Sequence, residues 1–349
     1  MRNNRKAEDR DRQKLPFVSV IVPVYNAEST VSTTIEALLR QDYPSEKMEI
    51  VVVDDGSTDR SREAISRYPV KLVCHDQNKG DSASRNTGAE NAIGEILMTT
   101  DADDRVDESW ISNLVAGYGD SDVGAVVGSS HLEYDAGNWQ QRILAEIWVC
   151  LRSGERVTEV HDRYRRMSRT GRSVGTNQSF RKSVFEALKG FDTNLTAGME
   201  LDILWRVEKA GYRIAFQPDA IVYTHPKSNI GDFLKQAFNR ASGVVALYLK
   251  YPSMLKSTFL FNAGFVPALI VLLAIGFALD MALLLYISLV LIIAPLVFYI
   301  IQLIRARQYI QNPKDRLLVL GVRYAAFMAG VLGIFRGVWG RIMPRRKRY

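Results

Sequence analysis

Three short apolar runs, each ending in polar or acidic residues, constrain the fold of this chain more than any other feature. Val18-Ser19-Val20-Ile21-Val22-Pro23-Val24 leads into Tyr25-Asn26, Val51-Val52-Val53 into Asp54-Asp55-Gly56-Ser57-Thr58-Asp59, and Ile96-Leu97-Met98 into Asp101-Ala102-Asp103. Short β-branched and aliphatic runs bounded by turn residues read as buried strands. Between them Val31, Ile35, Leu38 and Leu39 recur at helical spacing within 28–41, and Asp42-Tyr43-Pro44 ends that helix. Further helices are expected at 58–66, 81–93 and 106–118, and further strands at 70–74 and 123–130. This alternation predicts an α/β domain whose mostly parallel central sheet is covered on both faces. In such sheets ligands bind outside the carboxyl ends of the strands, where the acidic residues cluster.

The acidic ends suggest chemistry. Asp101 and Asp103, one residue apart at a strand end, can share a hard divalent cation whose other ligands are phosphate oxygens. No dinucleotide fingerprint follows the first strand, where Tyr25-Asn26-Ala27-Glu28 stands, and no P-loop lysine motif occurs. The sheet is therefore expected to hold a nucleotide by another scheme. Asp54 or Asp55 would accept hydrogen bonds from a base or ribose, and Arg85, after the Lys79-Gly80 turn, is a candidate positive partner. Later elements include a return to the core at 173–181, helices at 183–188 and 199–210, and a strand at 212–217. Glu200 and Asp202 open the second of these helices; they either complement its N-terminal dipole or supply a general base.

The second part of the chain differs in character. Residues 259–304 are almost wholly apolar, long enough for two spans of roughly 20 residues with a turn near Asp280. Residues 317–339 form a third apolar segment, interrupted by Arg323 and Arg336, that could cross, re-enter or lie in the interface. Ahead of them, 229–249 reads as an amphipathic helix lying against a bilayer, and 138–170 as an insertion with an amphipathic stretch at 139–151 and a basic region at 163–172. The formal charge is +7, and Arg305, Arg307, Lys314 and Arg316, with the basic residues 341–348, flank the apolar segments. Basic residues in that setting meet anionic lipid rather than nucleic acid and place the 305–316 loop, and with it the N-terminal domain, on the cytoplasmic side. Cys74 and Cys150, without metal-ligand spacing, are expected to be buried thiols in a reducing compartment. The charged stretch 1–14 has no apolar core and does not read as a signal peptide.

In order along the chain, the blocks resemble those of the family 2 inverting glycosyltransferases with the GT-A nucleotide-sugar fold, in particular the membrane-anchored enzymes of exopolysaccharide and lipid-linked glycan synthesis. The resemblance runs over roughly 17–225 through Val53-Asp54-Asp55-Gly56-Ser57, Asn78-Lys79-Gly80, Ser84-Arg85-Asn86-Thr87-Gly88, Asp101-Ala102-Asp103-Asp104, Gly175-Thr176-Asn177-Gln178-Ser179-Phe180-Arg181, Gly190-Phe191-Asp192 and Glu200-Leu201-Asp202 with Trp205-Arg206. It implies a base- and ribose-binding role for Asp54, with Pro23, Tyr25 and Glu28 lining the nucleotide. It also implies a metal–diphosphate role for Asp101 and Asp103 with Mg²⁺ or Mn²⁺, and a metal-side role for His225. Glu200 stands where the family usually has the Asp of a Glu-Asp pair, here Met199-Glu200, with Asp202 in reserve as the base. The Gln-x-x-Arg-Trp motif of processive synthases is replaced by Gln236-Ala237-Phe238-Asn239-Arg240. The resemblance therefore implies transfer of one sugar from a nucleoside-diphosphate sugar to a polyprenyl-linked acceptor, with a processive synthase and a non-catalytic membrane scaffold as alternatives. The implied organisation is a tail (1–16), a GT-A domain (17–226), an interface helix (227–256), two to three transmembrane helices (257–340) and a basic tail (341–349), in the plasma membrane.

Overall fold

A computed structural model describes residues 15–135, 137–152, 177–254, 269, 271–275, 277–279, 282–305 and 313–342. The N-terminal tail, the basic region at 163–172, Gly175-Thr176, the turn at Asp280 and the basic residues 343–349 lie outside the described residues. The chain divides into two compact units: Met1–Glu133, Glu159–Asn194 and Met199–His225 form one, and Tyr134–Thr158, Leu195–Gly198 and Pro226–Tyr349 the other.

The first unit is built on one sheet of eight strands, β1 (Val18–Val24), β2 (Met48–Asp54), β3 (Lys71–Cys74), β4 (Ile96–Thr99), β5 (Arg105–Val106), β6 (Val123–Leu132), β7 (Gln178–Arg181) and β8 (Arg213–Thr224), in the order β3-β2-β1-β4-β7-β6-β8-β5. In chain order the helices are α1 (Val31–Leu39), α2 (Ser61–Ile65), α3 (Asp81–Asn91), α4 (Trp110–Ala116), α5 (Trp139–Arg152), α6 (Lys182–Ala187), α7 (Met199–Lys209), α8 (Ile230–Lys250), α9 (Ala282–Arg305) and α10 (Pro313–Ile342). Of these, α5, α8, α9 and α10 belong to the second unit.

The half of the sheet carrying β3, β2, β1 and β4 is parallel, as the strand–helix alternation predicts. The rest is mixed: β7 runs antiparallel to both β4 and β6, and β5 antiparallel to β8. Neither departure leaves a mark in hydrophobic periodicity, which reports faces and not direction. The strand expected at 212–217 continues to Thr224 because Gly128 pairs with Gln217 and Ser129 with Ile221, so 218–220, with Pro218, bulge out of the ladder. The short β5 replaces the start of the helix expected from 106, and α4 begins at Trp110.

Burial follows the pattern that the sequence sets. Val18, Val20, Val22 and Val24 of β1 pack with Val31, Ile35 and Leu38 of α1 and with Trp110 of α4 in one core; each such side chain contributes about 1.5–3 kcal/mol. Thr34, inside α1, turns its hydroxyl to the carbonyls of Ala102 and Asp104 at 3.0 and 2.7 Å, fastening the loop after β4 to the helix after β1. Cys74 is exposed, contrary to expectation, because β3 is the sheet's edge strand; the Cys150 side chain lies outside the described residues.

In the second unit, Arg142 of α5 donates from Nε and Nη2 to the buried Asp315 of α10 at 3.2 and 3.4 Å, beside an apolar cluster of Ile143, Leu144, Ile147, Val319 and Val322. α8 packs on α10 at glycines: a Cβ on Gly333 would lie 2.2 Å from Phe238 O, and one on Gly337 2.5 Å from Ser242 O. Such small residues let helix backbones approach closely. The two arginines that interrupt the apolar segment lie against rings, Arg323 4.8 Å from the centroid of Tyr299 and Arg336 5.4 Å from that of Phe238. Among the described residues one helix, Lys314–Arg341, is long and apolar enough to cross a membrane by length and composition. Of the hairpin expected at 259–304, the second half is α9, a 24-residue apolar helix, while most of the first half lies outside the described residues.

One close approach of a helix to the sheet is testable. A Cβ on Gly88 of α3 would stand 2.3 Å from Ile21 Cγ2 of β1. Gly88→Val is expected to destabilise the fold by about 1–3 kcal/mol through overpacking, read as a lowered Tm; an unchanged Tm would contradict this packing.

Candidate active site

Parallel pairing brings three strand ends to one edge. Val24 lies opposite Asp54 and Ile21 opposite Thr99, so the segments after β1, β2 and β4 emerge side by side. The order 3-2-1-4 reverses direction at β1 and β4, the crevice where open α/β sheets bind ligands. A cavity of about 390 Å³ opens there, lined by Pro23, Tyr25 and Asn26 from the end of β1, Ser29 and Thr30 before α1, Asp81, and Asp101, Ala102 and Asp103. Four of the sequence candidates, Pro23, Tyr25, Asp101 and Asp103, thus share one cavity.

Beneath it lies a buried cation. Arg85, 2% exposed, donates from Nε to Asp81 Oδ1 at 3.0 Å and from Nη2 to Asp101 Oδ1. Burial opposes its charge, but the carboxylates of Asp81, Asp101 and Glu200 outweigh that and hold the guanidinium firmly protonated. Arg85 is therefore a brace under the carboxylates and does not line the cavity. Asp103 is exposed and makes no hydrogen bond to the described residues. Among the described residues no three His, Cys, Asp or Glu side chains converge as a metal centre. A fixed Asp101 and an open Asp103 fit a hard cation that draws its remaining oxygens from a diphosphate.

The two aspartates after β2 separate in role. Asp54 is fully buried: its Oδ2 accepts from Arg62 Nε at 2.5 Å and from the Ser57 amide at 3.3 Å, while Oδ1 has no hydrogen-bond partner. A buried acceptor of this kind costs about 1–3 kcal/mol unless a donor meets it, which suits a ligand N–H or hydroxyl. Asp55 instead ties down the Asn78-Lys79-Gly80 turn, accepting from the Lys79 and Gly80 amides at 2.9 and 2.8 Å and meeting His75 Nδ1 at 2.7 Å. Burial pushes its carboxyl up, but the bonds from His75, Lys79, Gly80 and Ser84 prevail and hold it below the usual range. Gly56 lets the two turns touch, since φ is +73° and a Cβ would lie 2.7 Å from Gln77 C. Asn26, itself at φ 50°, accepts from the Thr58 amide at 2.8 Å, and Glu28 accepts from the Arg60 amide at 3.0 Å, so both lock the β1 loop to the β2 loop.

α7 supplies the other candidates, and they point apart. Glu200 is half-buried; burial raises its carboxyl above the ordinary range, the charges of Asp81 and Asp101 add to the rise, and its own amide and Arg85 pull the other way. A carboxylate so destabilised is a better proton acceptor. Asp202 is fully buried and accepts from Arg206 Nε and Nη2 at 2.8 and 2.5 Å, while Arg206 also donates to Leu188 O and Gly190 O at 2.6 and 2.7 Å. That arrangement braces the Gly190-Phe191 turn. His225 is exposed beyond β8, its Nδ1 2.9 Å from Glu133 O, and does not line the cavity. Sequence reasoning passed over Asp81, read only as the start of a helix; its signal was the i,i+4 spacing to Arg85, which makes one ion pair of the two. Burial pushes the Asp81 carboxyl up against the pull of Arg85, and Asp101 adds to the rise. Asp202→Ala removes the buried acceptor of the part-buried Arg206 guanidinium and is expected to cost about 1–3 kcal/mol of stability; a Tm drop with turnover per folded molecule retained is the predicted result, and an unchanged Tm with lost turnover would make Asp202 a reacting group.

Comparison with known proteins agrees with this geometry. Residues 19–189 match the family described as glycosyl transferase family 2. The chain is 28% identical over 242 residues to glycosyltransferase AglE of Haloferax volcanii, covering 67% of this chain and 75% of that protein. It is 27% identical over 256 residues to the probable glycosyltransferase YdaM of Bacillus subtilis, covering 68% and 58%. Over 250 residues it is 28% identical to an N-acetylglucosaminyltransferase of Rhizobium meliloti, covering 66% and 56%, so the chain spans little more than half the length of these last two relatives. Among solved structures, the mannosyltransferase PcManGT of Pyrobaculum calidifontis, in complex with GDP-Man and Mn²⁺, has the same fold with a TM-score of 0.58 and 21% identity, covering 96% of this chain and 89% of that one. With the strand order, the acidic crevice and the family match in agreement, residues 19–189 are a family 2 glycosyltransferase segment on a GT-A-like fold.

Proposed function

We propose that this enzyme transfers a single sugar from a nucleoside-diphosphate sugar to a membrane-held, polyprenyl-linked acceptor, with inversion at the anomeric carbon and with Mg²⁺ or Mn²⁺. The observation that carries the reading is the crevice between β1 and β4, where an open Asp103 stands beside an Asp101 fixed by a buried arginine. GDP-Man and Mn²⁺ in the mannosyltransferase of like fold support the donor class. Asp54, with its unmatched buried oxygen, would accept from the base or ribose, while Tyr25 and Pro23 would wall the nucleotide. Asp101 and Asp103 would hold the cation, which when bound offsets the charge that develops on the departing nucleoside diphosphate. Glu200 would take the proton of an acceptor hydroxyl. The new bond from that oxygen to the anomeric carbon forms on the face opposite the diphosphate as the old bond breaks, and inversion follows from one displacement. An acceptor phosphate, already ionised, would need Glu200 less. The apolar α9, the 28-residue span in α10 and the amphipathic α8 support a membrane anchor, and the basic residues Arg305, Arg307, Lys314 and Arg316 support a transferase unit on the cytoplasmic face. His225 keeps a proposed metal-side role only if it reaches the diphosphate once donor is bound.

Two outcomes test this. Asp103→Ala is expected to abolish nucleoside diphosphate release while leaving membrane association intact, and full turnover in that variant would refute the metal role. Glu200→Gln is expected to lower kcat by about 10²–10⁴-fold. Because the base acts only when deprotonated and its carboxyl is raised, the wild-type rate should fall with decreasing pH through a limb above the ordinary glutamate range, and Glu200→Gln should lose that limb. A limb at the same pH in both proteins would assign the proton transfer elsewhere.

A further inference from the structure

The second unit holds a larger cavity, of about 760 Å³, formed chiefly by α8 and α10. Lys227, Lys235, Arg240, Arg336 and Arg341 converge on it, with Asp232 the one acidic residue in the lining. Asp232 already serves the start of α8, where its amide donates to Asn229 Oδ1 at 2.9 Å and its Oδ2 accepts from Asn229 Nδ2 at 2.8 Å. Among the described residues none of the five cations is ion-paired: Arg341 donates to the Gly337 carbonyl at 2.9 Å, and Arg336 lies over the Phe238 ring. Five like charges around one cavity repel one another, and a polyanion is the ligand that turns this repulsion into binding. Thr196, Ser228, Gln236 and Asn239 add neutral donors.

The setting selects the anion. Arg336 and Arg341 lie on the helix that is apolar and long enough to cross a membrane, and Arg341 is the last residue of that span. A cationic cavity shared by the end of an apolar helix and an amphipathic helix lying against a bilayer sits at the depth of lipid phosphates, which attract Lys and Arg side chains. The glycine contacts of α10 with Phe238 and Ser242 hold α8 against that helix, so the cations of both are carried on one packed pair. We propose that this cavity binds the phosphate-bearing headgroup of an anionic membrane lipid. The site is separate from the donor crevice and would act as a headgroup anchor. It rests on the membrane-anchored reading but not on the identity of donor, acceptor or base.

The test uses purified full-length protein in uncharged detergent, titrated with short-chain phosphatidylglycerol, short-chain phosphatidylcholine or inorganic pyrophosphate, with binding read by native mass spectrometry and by Tm. Phosphatidylglycerol is expected to bind and raise Tm, phosphatidylcholine to do neither, and pyrophosphate to compete only weakly. Lys235→Glu with Arg240→Glu, both exposed positions, is expected to weaken phosphatidylglycerol binding at least tenfold; Lys235→Gln with Arg240→Gln should weaken it less while preserving the fold. Arg40→Glu with Arg67→Glu, exposed on the other unit, makes the same change in net charge and should leave binding unchanged. Equal losses in the two charge-reversed proteins would overturn the cavity as the site. Pyrophosphate binding as tight as that of the lipid would overturn the choice of a headgroup. Donor turnover measured in parallel separates this site from the transferase reading, since loss of lipid binding with donor hydrolysis retained upholds both, and dead donor chemistry with intact lipid binding refutes only the latter.

Discussion

The transferase unit depends on a single buried guanidinium. Arg85 sits on α3 with almost no exposure and joins Asp81 to Asp101. A charge removed from water in this way is tolerated only when opposite charges and hydrogen bonds surround it, and here the surrounding groups are the acidic wall of the crevice between β1 and β4. One interaction therefore does several things. It sets the direction of Asp101, leaves Asp103 as the open carboxylate, and places a fixed positive charge within electrostatic reach of Glu200. The close packing of Gly88 on Ile21 keeps α3, and with it Arg85, at a constant height over β1.

The sequence made the parallel half of the sheet legible because its strands are continuous apolar runs separated by amphipathic helices, and that half carries the crevice. It did not show that β7 runs backwards between β4 and β6, or that β8 carries a bulge at 218–220, because both are decided by pairing between distant segments. Spacing alone singled out Asp101 and Asp103, and both line the crevice. Spacing could not tell Asp54 from Asp55: adjacent residues of a strand end face opposite ways, and one keeps an unmatched oxygen while the other closes a turn through His75 and two amides. The same limit applied to Glu200 and Asp202. Only the packed helix reveals that Arg206 claims Asp202 and that Glu200 lies among the charges of the crevice.

The second unit follows a different rule. Its apolar helices expose large side chains such as Leu283, Tyr286 and Leu317, so that surface hydrophobicity is the norm there and polar groups are the informative exceptions. Each exception has a physical setting: Asp315 with Arg142, Arg323 over Tyr299, and Arg336 over Phe238. Five cations, Lys227, Lys235, Arg240, Arg336 and Arg341, gather on one cavity, and that convergence distinguishes a binding feature from a generally basic surface.

Transfer of one sugar per encounter to a lipid-held acceptor is the reaction proposed for the acidic crevice. The most direct measurement is the mass of the lipid product formed by purified full-length protein from a panel of nucleotide sugars with Mg²⁺ or Mn²⁺ and a membrane lipid extract, read together with nucleoside diphosphate release. One donor is expected to release its diphosphate in step with a lipid species heavier by a single sugar. A ladder of increments would show a polymerase, and release of inorganic pyrophosphate in place of nucleoside diphosphate would contradict glycosyl transfer itself.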